Sequence, residues 1–126
     1  MPLTTLTFER FVVYEFRPDV LLPFQFVLSL SSTESAYRYP INNISFLPII
    51  ATGPYADNDP FRVPLLPYPR GGTRLVTRMY VAIDAIQSIH KSAFLPTHLG
   101  HLSDSEAQEV RQKLGQWLGL SQPVEQ

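Results

Sequence analysis

The stretch at 103–119, SDSEAQEVRQKLGQWLG, predicts one amphipathic helix near the end of the chain. Ser103 and Glu106 fit a capping box, in which the serine hydroxyl accepts the third backbone N–H and the glutamate reaches back to the cap. Apolar residues then recur with the helical period, namely Ala107, Val110, Leu114, Trp117 and Leu118. Gly119 stands where a left-handed C-cap is expected. Because the apolar stripe must cover another surface, the rest of the chain is expected to supply a sheet.

The sequence before this helix predicts a series of short strands. Period-two apolar spacing predicts strands at 6–16, 24–30, 44–51, 61–65 and 74–84. Residues 86–91 fit either a further strand or one helical turn. The 12 prolines are about twice the usual share, which favours short strands and rigid loops. Pro18 is expected to end the first strand, and Pro48 marks an edge, a bulge or the end of the third. Five or six strands followed by a helix predict a small, strongly bent antiparallel sheet or barrel.

Length and composition indicate a single globular domain. The chain has 126 residues, 44% hydrophobic and 17% charged, which predicts one domain at 1–120, with its helix at about 103–118 and a tail at 121–126. The absence of cysteine excludes disulfides, thiolate metal sites and cysteine nucleophiles. A net charge of −1 provides no overall basic field, so nucleic-acid contact would need a local cluster. With no signal pattern and no apolar run of roughly 18 residues, we expect a cytoplasmic protein without membrane contact.

Six short segments, in order, carry a family resemblance. They are VYEFRP at 13–18, FVLS at 26–29, FLPI at 46–49, DPFRVPL at 59–65, DAIQSI at 84–89 and LGHLS at 99–103. Together they resemble the CcdB/PemK superfamily of bacterial toxins, in particular its MazF/PemK branch. The resemblance implies a mainly β fold with a C-terminal helix, an SH3-like barrel of about five to seven antiparallel strands that forms a homodimer. It also implies the toxin of a toxin–antitoxin system, silenced by a cognate antitoxin.

The MazF/PemK branch cleaves single-stranded RNA without a metal, and this chemistry has three requirements. A base must take the ribose 2′-OH proton, cations must stabilise the phosphorane, and an acid must protonate the leaving 5′-oxygen. The resemblance implies that Asp84 is the base or charge-orienting carboxylate. Arg17 and Arg78 are then the phosphate clamp and candidate acid, and Thr52 is a phosphate donor. No cofactor is expected.

Two positions depart from the family pattern. The family usually carries a catalytic arginine before the second-strand proline, where this chain has Leu22. It places Thr or Ser two residues after the third-strand proline, where this chain has Ile50. In this prediction other arginines replace these groups. Arg17 lies at the mouth of the first loop, and period-two spacing puts Arg74 and Arg78 on the strand face of Asp84.

Further residues are candidates for RNA contact. Arg74, Tyr80, Tyr37 and Arg38 supply cations and rings on which bases can stack. The same tyrosines also suit a barrel core. His98 and His101 lack a nearby third ligand in the sequence, so no metal site is predicted.

Non-enzymatic alternatives remain open. The CcdB branch poisons DNA gyrase and uses a tryptophan near its C-terminus, a role that Trp117 with Gly119 would take here. Trp117 also fits a core position on the helix stripe. A catalytically inactive relative that binds only a protein partner fits Leu22 and Ile50. A generic barrel module outside toxin–antitoxin biology is the remaining alternative.

Overall fold

The fold is a seven-stranded sheet with one long helix. The computed structural model describes residues 6–51 and 58–120. Its elements in chain order are β1 (Val12–Phe16), β2 (Phe26–Ser29), α1 (Thr33–Ala36), β3 (Asn43–Ala51), β4 (Arg62–Leu65), β5 (Met79–Ala82), β6 (Gln87–His90), β7 (Phe94–His101) and α2 (Asp104–Trp117). Single 3-10 turns follow β5 at Ile83–Ala85 and β6 at Lys91–Ala93. Within the described ranges, neither α-helix combines the length and apolar character needed to cross a bilayer.

The strands form an open antiparallel sheet. Their order is β4-β5-β3-β2-β1-β7, and β6 pairs with β3 beside β5. All of these ladders are antiparallel. The predicted mainly β fold, with up to seven antiparallel strands and a C-terminal helix, is confirmed. Closure into a barrel is not confirmed, because β4 and β7 are the two ends of this order and no ladder between described residues joins them.

Pro48 lies inside β3, so the prediction that it ends the third strand is wrong. On one side it pairs with Val27 of β2. On the other side the partner of β3 changes, from β6 along 43–46 to β5 along 49–51. Proline cannot donate a ladder hydrogen bond. The change of partner puts Pro48 where that donor is not needed, so one nine-residue strand runs through it.

The sheet buries both of its faces. On one face, α2 packs through Ala107 and Val110 on a cluster that includes Val13, Leu28 and Val81. The opposite face carries a separate aromatic cluster, which includes Phe8, Tyr14, Phe16, Phe46 and Phe94. Alternate residues of β1 thus enter different clusters, as period-two geometry requires. Both faces of the first strand are therefore buried.

The start of α2 is anchored to the turn before β5. The predicted capping box is present: Ser103 Oγ accepts from Glu106 N at 3.2 Å, and Glu106 Oε1 accepts from Ser103 N at 2.9 Å. Glu106 is also buried, and Oε1 accepts from Gly72 N at 3.1 Å. Its Oε2 accepts from Leu66 N at 3.4 Å. One carboxylate therefore joins the helix to the 66–72 turn.

Tyr14 gives the fold a dependence on alkaline pH. Its hydroxyl accepts from Glu9 N at 3.0 Å and donates to Thr7 O at 3.4 Å, and its side chain is buried. Burial raises the pKa of Tyr14 above the ordinary value of 10.0. As the pH rises, Tyr14 therefore loses its hydroxyl proton in the unfolded chain before it does so in the folded protein. Its contribution to the free energy of unfolding is complete below about pH 10 and is lost as the pH rises through the raised pKa of the folded state.

We therefore expect the free energy of unfolding to fall between pH 9 and pH 11, and to fall less in Tyr14→Phe. Denaturant titrations at the two pH values measure it. The exposed Tyr68, changed to Phe, is the control. An equal fall in wild type and Tyr14→Phe would show that Tyr14 does not cause it.

Candidate active site

A cavity of about 400 Å³ opens where β1 ends and β2 begins, and we name it the β1–β2 cleft. It is lined by Glu15, Phe16, Arg17, Pro18, Val20, Leu22, Pro23, Phe24 and Gln25. Most of this lining is apolar, and a carboxylate, a guanidinium and an amide stand in it. Concave sites with mainly apolar walls and a few polar groups are the usual form of ligand sites.

The backbone at Arg17 is fixed while its side chain is exposed. Its N–H donates to Ala93 O at 2.8 Å, and its carbonyl accepts from Val20 N at 3.0 Å. The preceding Phe16 is buried, with its ring centroid 5.1 Å from that of Phe94. Pro18 then ends the strand, as predicted. The packing of Phe16 in the aromatic cluster thereby fixes the position from which the Arg17 side chain extends at the mouth of the cleft.

Glu15 lines the same cleft from β1. It is opposite Phe26 in the β1–β2 ladder, next to Gln25, whose Nε2 donates to Glu15 Oε2. Phe16 N also donates to Gln25 O at 3.0 Å, which fixes the two chains against each other. A carboxylate that can accept a proton and a cation that can stabilise negative charge thus line one cavity. No pattern in the sequence predicts a role for Glu15.

A second cavity of about 210 Å³ adjoins the cleft and shares Pro23, Phe24 and Gln25 with it. It adds Phe26, Ile49, Ile50, Ala51 and Met79. Leu22 lines the first cavity and Ile50 the second. The two positions that depart from the family pattern therefore lie on one groove, where both are aliphatic. Thr52 follows Ala51 in sequence but lies outside the described residues, so its role stays a prediction.

Asp84 forms an ion pair that the sequence did not reveal. It lies in the 3-10 turn after β5, where Arg62 Nη1 donates to its Oδ1 at 2.6 Å. The same Nη1 donates to Phe61 O at 3.1 Å and lies 3.8 Å from Asp59 Oδ2. Arg62 faces Ala82 in the β4–β5 ladder, and only this register brings it beside Asp84.

The sheet separates Asp84 from the predicted arginines. Arg78 precedes β5 and Asp84 follows it, so the strand lies between them. Glu15 pairs with Phe26, Phe26 with Ile49 and Ile49 with Val81, so these four residues form one row across the sheet. Arg17 follows Glu15 by two residues and therefore lies at the end of the sheet where β5 begins. The prediction that Arg74, Arg78 and Asp84 share one strand face is wrong, because β5 starts only at Met79 and Asp84 lies in a turn.

The predicted RNA contacts have different environments. Arg74 Nη2 donates to His98 O at 2.8 Å. Tyr80 is 2% exposed, and the Arg78 guanidinium lies 5.2 Å from its ring centroid. This ring is a core ring, so its assignment as an exposed stacking surface is corrected. Tyr37 is half-exposed, with its hydroxyl donating to Leu6 O at 2.9 Å, and Arg38 beside it is exposed.

The end of α2 carries the residues of the gyrase alternative. Trp117 is 46% exposed, and its ring lies edge-on to Phe61 with centroids 5.2 Å apart. Gly119 has a φ of 73°, as expected of a left-handed C-cap. Among the described residues, no three His, Cys, Asp or Glu side chains cluster closely enough to hold a metal ion.

The Arg62–Asp84 pair is expected to contribute modestly to stability. Both side chains are partly exposed, at 20% and 33%. In a double-mutant cycle of Arg62→Ala and Asp84→Ala, we expect a coupling of about 0.5–1 kcal/mol in the free energy of unfolding. Urea titrations of the four proteins measure this energy. A coupling of zero would show that the pair does not hold β4 against the turn.

A protein-family model matches most of this chain. The family described as "PemK-like, MazF-like toxin of type II toxin-antitoxin system" matches residues 26–118. A comparison with curated protein sequences gives no significant match.

Solved structures share the fold. An endoribonuclease from a mycobacterial species, solved with its cognate antitoxin, is 21% identical, with a TM-score of 0.67. The match covers 95% of this chain and 100% of that one. The Mycobacterium tuberculosis toxin MazF-mt6 is 19% identical over 88% of this chain and 99% of its own, with a TM-score of 0.64. A MazE–MazF structure from Deinococcus radiodurans is 24% identical over 91% and 99%, also with a TM-score of 0.64.

Proposed function

The chain belongs to the PemK-like, MazF-like toxins of type II toxin–antitoxin systems, and from this we propose that it is an endoribonuclease that cleaves single-stranded RNA. The observation that carries the proposal is the β1–β2 cleft, with the Glu15 carboxylate and the exposed Arg17 guanidinium on one cavity. Proton transfer and stabilisation of a charged phosphorane need these two kinds of group. The solved mycobacterial relative described as an endoribonuclease has the same fold.

In the proposed step, the ribose 2′-oxygen attacks the adjacent phosphorus. Glu15 accepts the 2′-OH proton as the new P–O bond forms. Arg17 stabilises the negative charge on the phosphorane oxygens. The bond from phosphorus to the 5′-oxygen then breaks, and that oxygen takes a proton from water. The products are a 2′,3′-cyclic phosphate and a 5′-OH end. Metal independence is part of the family resemblance and enters the test through EDTA.

The remaining predicted residues take supporting roles in this proposal. Arg78 lies at the same end of the sheet as the cleft, so it suits a neighbouring phosphate of the bound strand. Thr52 keeps its predicted role as a phosphate donor. Asp84, held by Arg62 at the opposite end of the sheet, is proposed as a structural carboxylate. This replaces its predicted role as the base.

The proposed partners are a second copy of the chain and a cognate antitoxin. The support for the antitoxin is the family itself, together with two relatives whose structures contain one. The homodimer rests on the family resemblance. Gyrase is not proposed, because the matched family is the PemK/MazF branch and the Trp117 ring packs on Phe61.

The test is incubation of the purified protein with a long single-stranded RNA in EDTA, with all new ends mapped. We expect discrete cuts that leave cyclic phosphate and 5′-OH ends. Intact RNA at protein concentrations in excess of the RNA would overturn the proposal.

A second candidate function is binding without catalysis. Leu22 and Ile50 favour it, because they put aliphatic side chains on the groove at the two positions where the family carries catalytic groups. A catalytically inactive relative would bind a partner through this groove. The same incubation separates the candidates, since RNA that stays intact would support the second.

A further inference from the structure

A cavity of about 350 Å³ lies at the turn between α1 and β3, away from the β1–β2 cleft. We name it the α1–β3 pocket. It is lined by Ser35, Arg38, Tyr39, Ile41, Asn42 and Asn43. The lining combines one aromatic ring, one guanidinium, a hydroxyl and two amides. No role in the proposed cleavage step falls on these residues.

The pocket presents an exposed aromatic ring on a well-fixed turn. Tyr39 is 89% exposed and Ile41 is 63% exposed. Two backbone N–H groups, of Ile41 and Asn42, donate to Arg38 O at 3.1 Å each. The Asn42 carbonyl accepts from Lys91 N at 3.0 Å, which ties the turn to the segment after β6. Large apolar side chains kept exposed on a rigid support are a common feature of binding surfaces.

The charges around the pocket favour an anionic ligand. Arg38 forms part of its wall, and Lys91 Nζ lies 4.6 Å from the ring centroid of the neighbouring Tyr37. Glu34 in α1, four residues before Arg38, is an exposed acidic residue. Two cations beside two tyrosines provide both elements of a surface for single-stranded nucleic acid, a basic track and stacking rings.

We propose that the α1–β3 pocket holds a base of single-stranded RNA, stacked on Tyr39, with Arg38 on an adjacent phosphate. The proposal rests on the proposed function, because it concerns the same substrate, and it adds a second contact outside the cleft. The hydroxyl and amides favour a base over an acidic peptide. Asn side chains offer a donor and an acceptor together, as the edges of bases require, and a flat ring gives the stacking surface.

The two sites lie at opposite ends of β3. Asn43 lines the α1–β3 pocket, and Ala51 lines the cavity that adjoins the cleft. The eight steps between them correspond to roughly 26 Å at the usual strand rise. One RNA strand must therefore run on for several nucleotides beyond the cleft to reach Tyr39. The pocket would hold long single strands and would leave the chemistry unchanged.

The experiment measures RNA affinity by fluorescence anisotropy, with a labelled 20-nucleotide 2′-O-methyl RNA that lacks the attacking hydroxyl. We expect Tyr39→Ala to weaken binding about tenfold, and Tyr39→Phe to keep most of the affinity. Tyr68→Ala is the matched control, because Tyr68 is also exposed, also precedes a proline and has an arginine, Arg70, two residues away. On cleavable RNA, Tyr39→Ala should raise KM and leave kcat unchanged.

The outcomes separate this inference from the proposed function. Equal affinities for Tyr39→Ala and Tyr68→Ala, or no RNA binding by the wild type, would overturn the inference. Tyr39-dependent binding with no cleavage of ordinary RNA would support the inference and overturn the nuclease. If poly-glutamate binding depends on Tyr39 while RNA binding does not, the pocket serves an acidic protein partner and the inference is wrong.

Discussion

Arg17→Ala is expected to lower the single-turnover rate of RNA cleavage by about 100-fold or more, the usual effect of removing one group that stabilises a developing oxyanion. The guanidinium is exposed at the mouth of the β1–β2 cleft, while hydrogen bonds to Ala93 and Val20 fix its backbone. Truncation should therefore leave the fold intact and remove the cation. The rate is measured with protein in excess over a long single-stranded RNA.

Two variants make this result specific. Arg10→Ala removes another exposed arginine just before β1, at the opposite end of the strand from Arg17, and should cleave like the wild type. Arg17→Lys keeps the charge and loses the two-pronged contact to phosphate, so an intermediate rate is expected. If Arg17→Ala cleaved as fast as Arg10→Ala, the phosphorane would not form beside Arg17.

Glu106→Ala is expected to have the largest effect on stability, a loss of about 3 kcal/mol in the free energy of unfolding. Its carboxylate accepts the backbone N–H groups of Leu66, Gly72 and Ser103 in a buried site. Each N–H that loses its partner in such a site costs about 1 kcal/mol or more. Urea titration followed by circular dichroism measures the change.

The matched control for this change is Glu109→Ala, one turn later on α2. Glu109 pairs with Lys113 at 3.0 Å on the outer part of the helix, and its loss should cost only about 0.5 kcal/mol. If the two variants had similar stabilities, Glu106 would not be what joins the helix to the 66–72 turn.

The sequence predicted most reliably what is decided locally. The capping box at Ser103 and Glu106 and the left-handed Gly119 follow from neighbouring residues, and both are present. Pro18 ends a strand for an equally local reason. The further role of Glu106, as acceptor from Gly72, depends on a contact 34 residues away and has no local signal.

The site depended on strand register, which the sequence did not provide. Period-two spacing over residues 74–84 predicts that Asp84 shares a face with Arg74 and Arg78. In the structure Arg74 N donates to Leu99 O, so this part of the chain is bonded to β7 and β5 begins later. The pairing of Arg62 with Asp84 depends on a ladder between two strands, so no local sequence pattern predicts it either.

Glu15 was overlooked for a related reason. The family resemblance assigns a role to Arg17 and marks Leu22 as the place of a missing arginine, whereas a glutamate inside a strand has no distinctive pattern. Its place in the cleft follows from its alignment with Phe26, which brings Gln25 and the loop beyond it to the same cavity. Period two does place Glu15 and Arg17 on one side of the chain. That signal could have suggested the pair.

The most direct test of the central claim compares one long single-stranded RNA with its fully 2′-O-methylated version, at matched protein occupancy in EDTA. If the cleft performs the proposed transesterification, only the RNA with free 2′-hydroxyls is cut, and every new end is a 2′,3′-cyclic phosphate or a 5′-OH. Cleavage of the methylated strand, or new ends carrying a 5′-phosphate, would contradict the account, because neither product can form by attack of the 2′-oxygen.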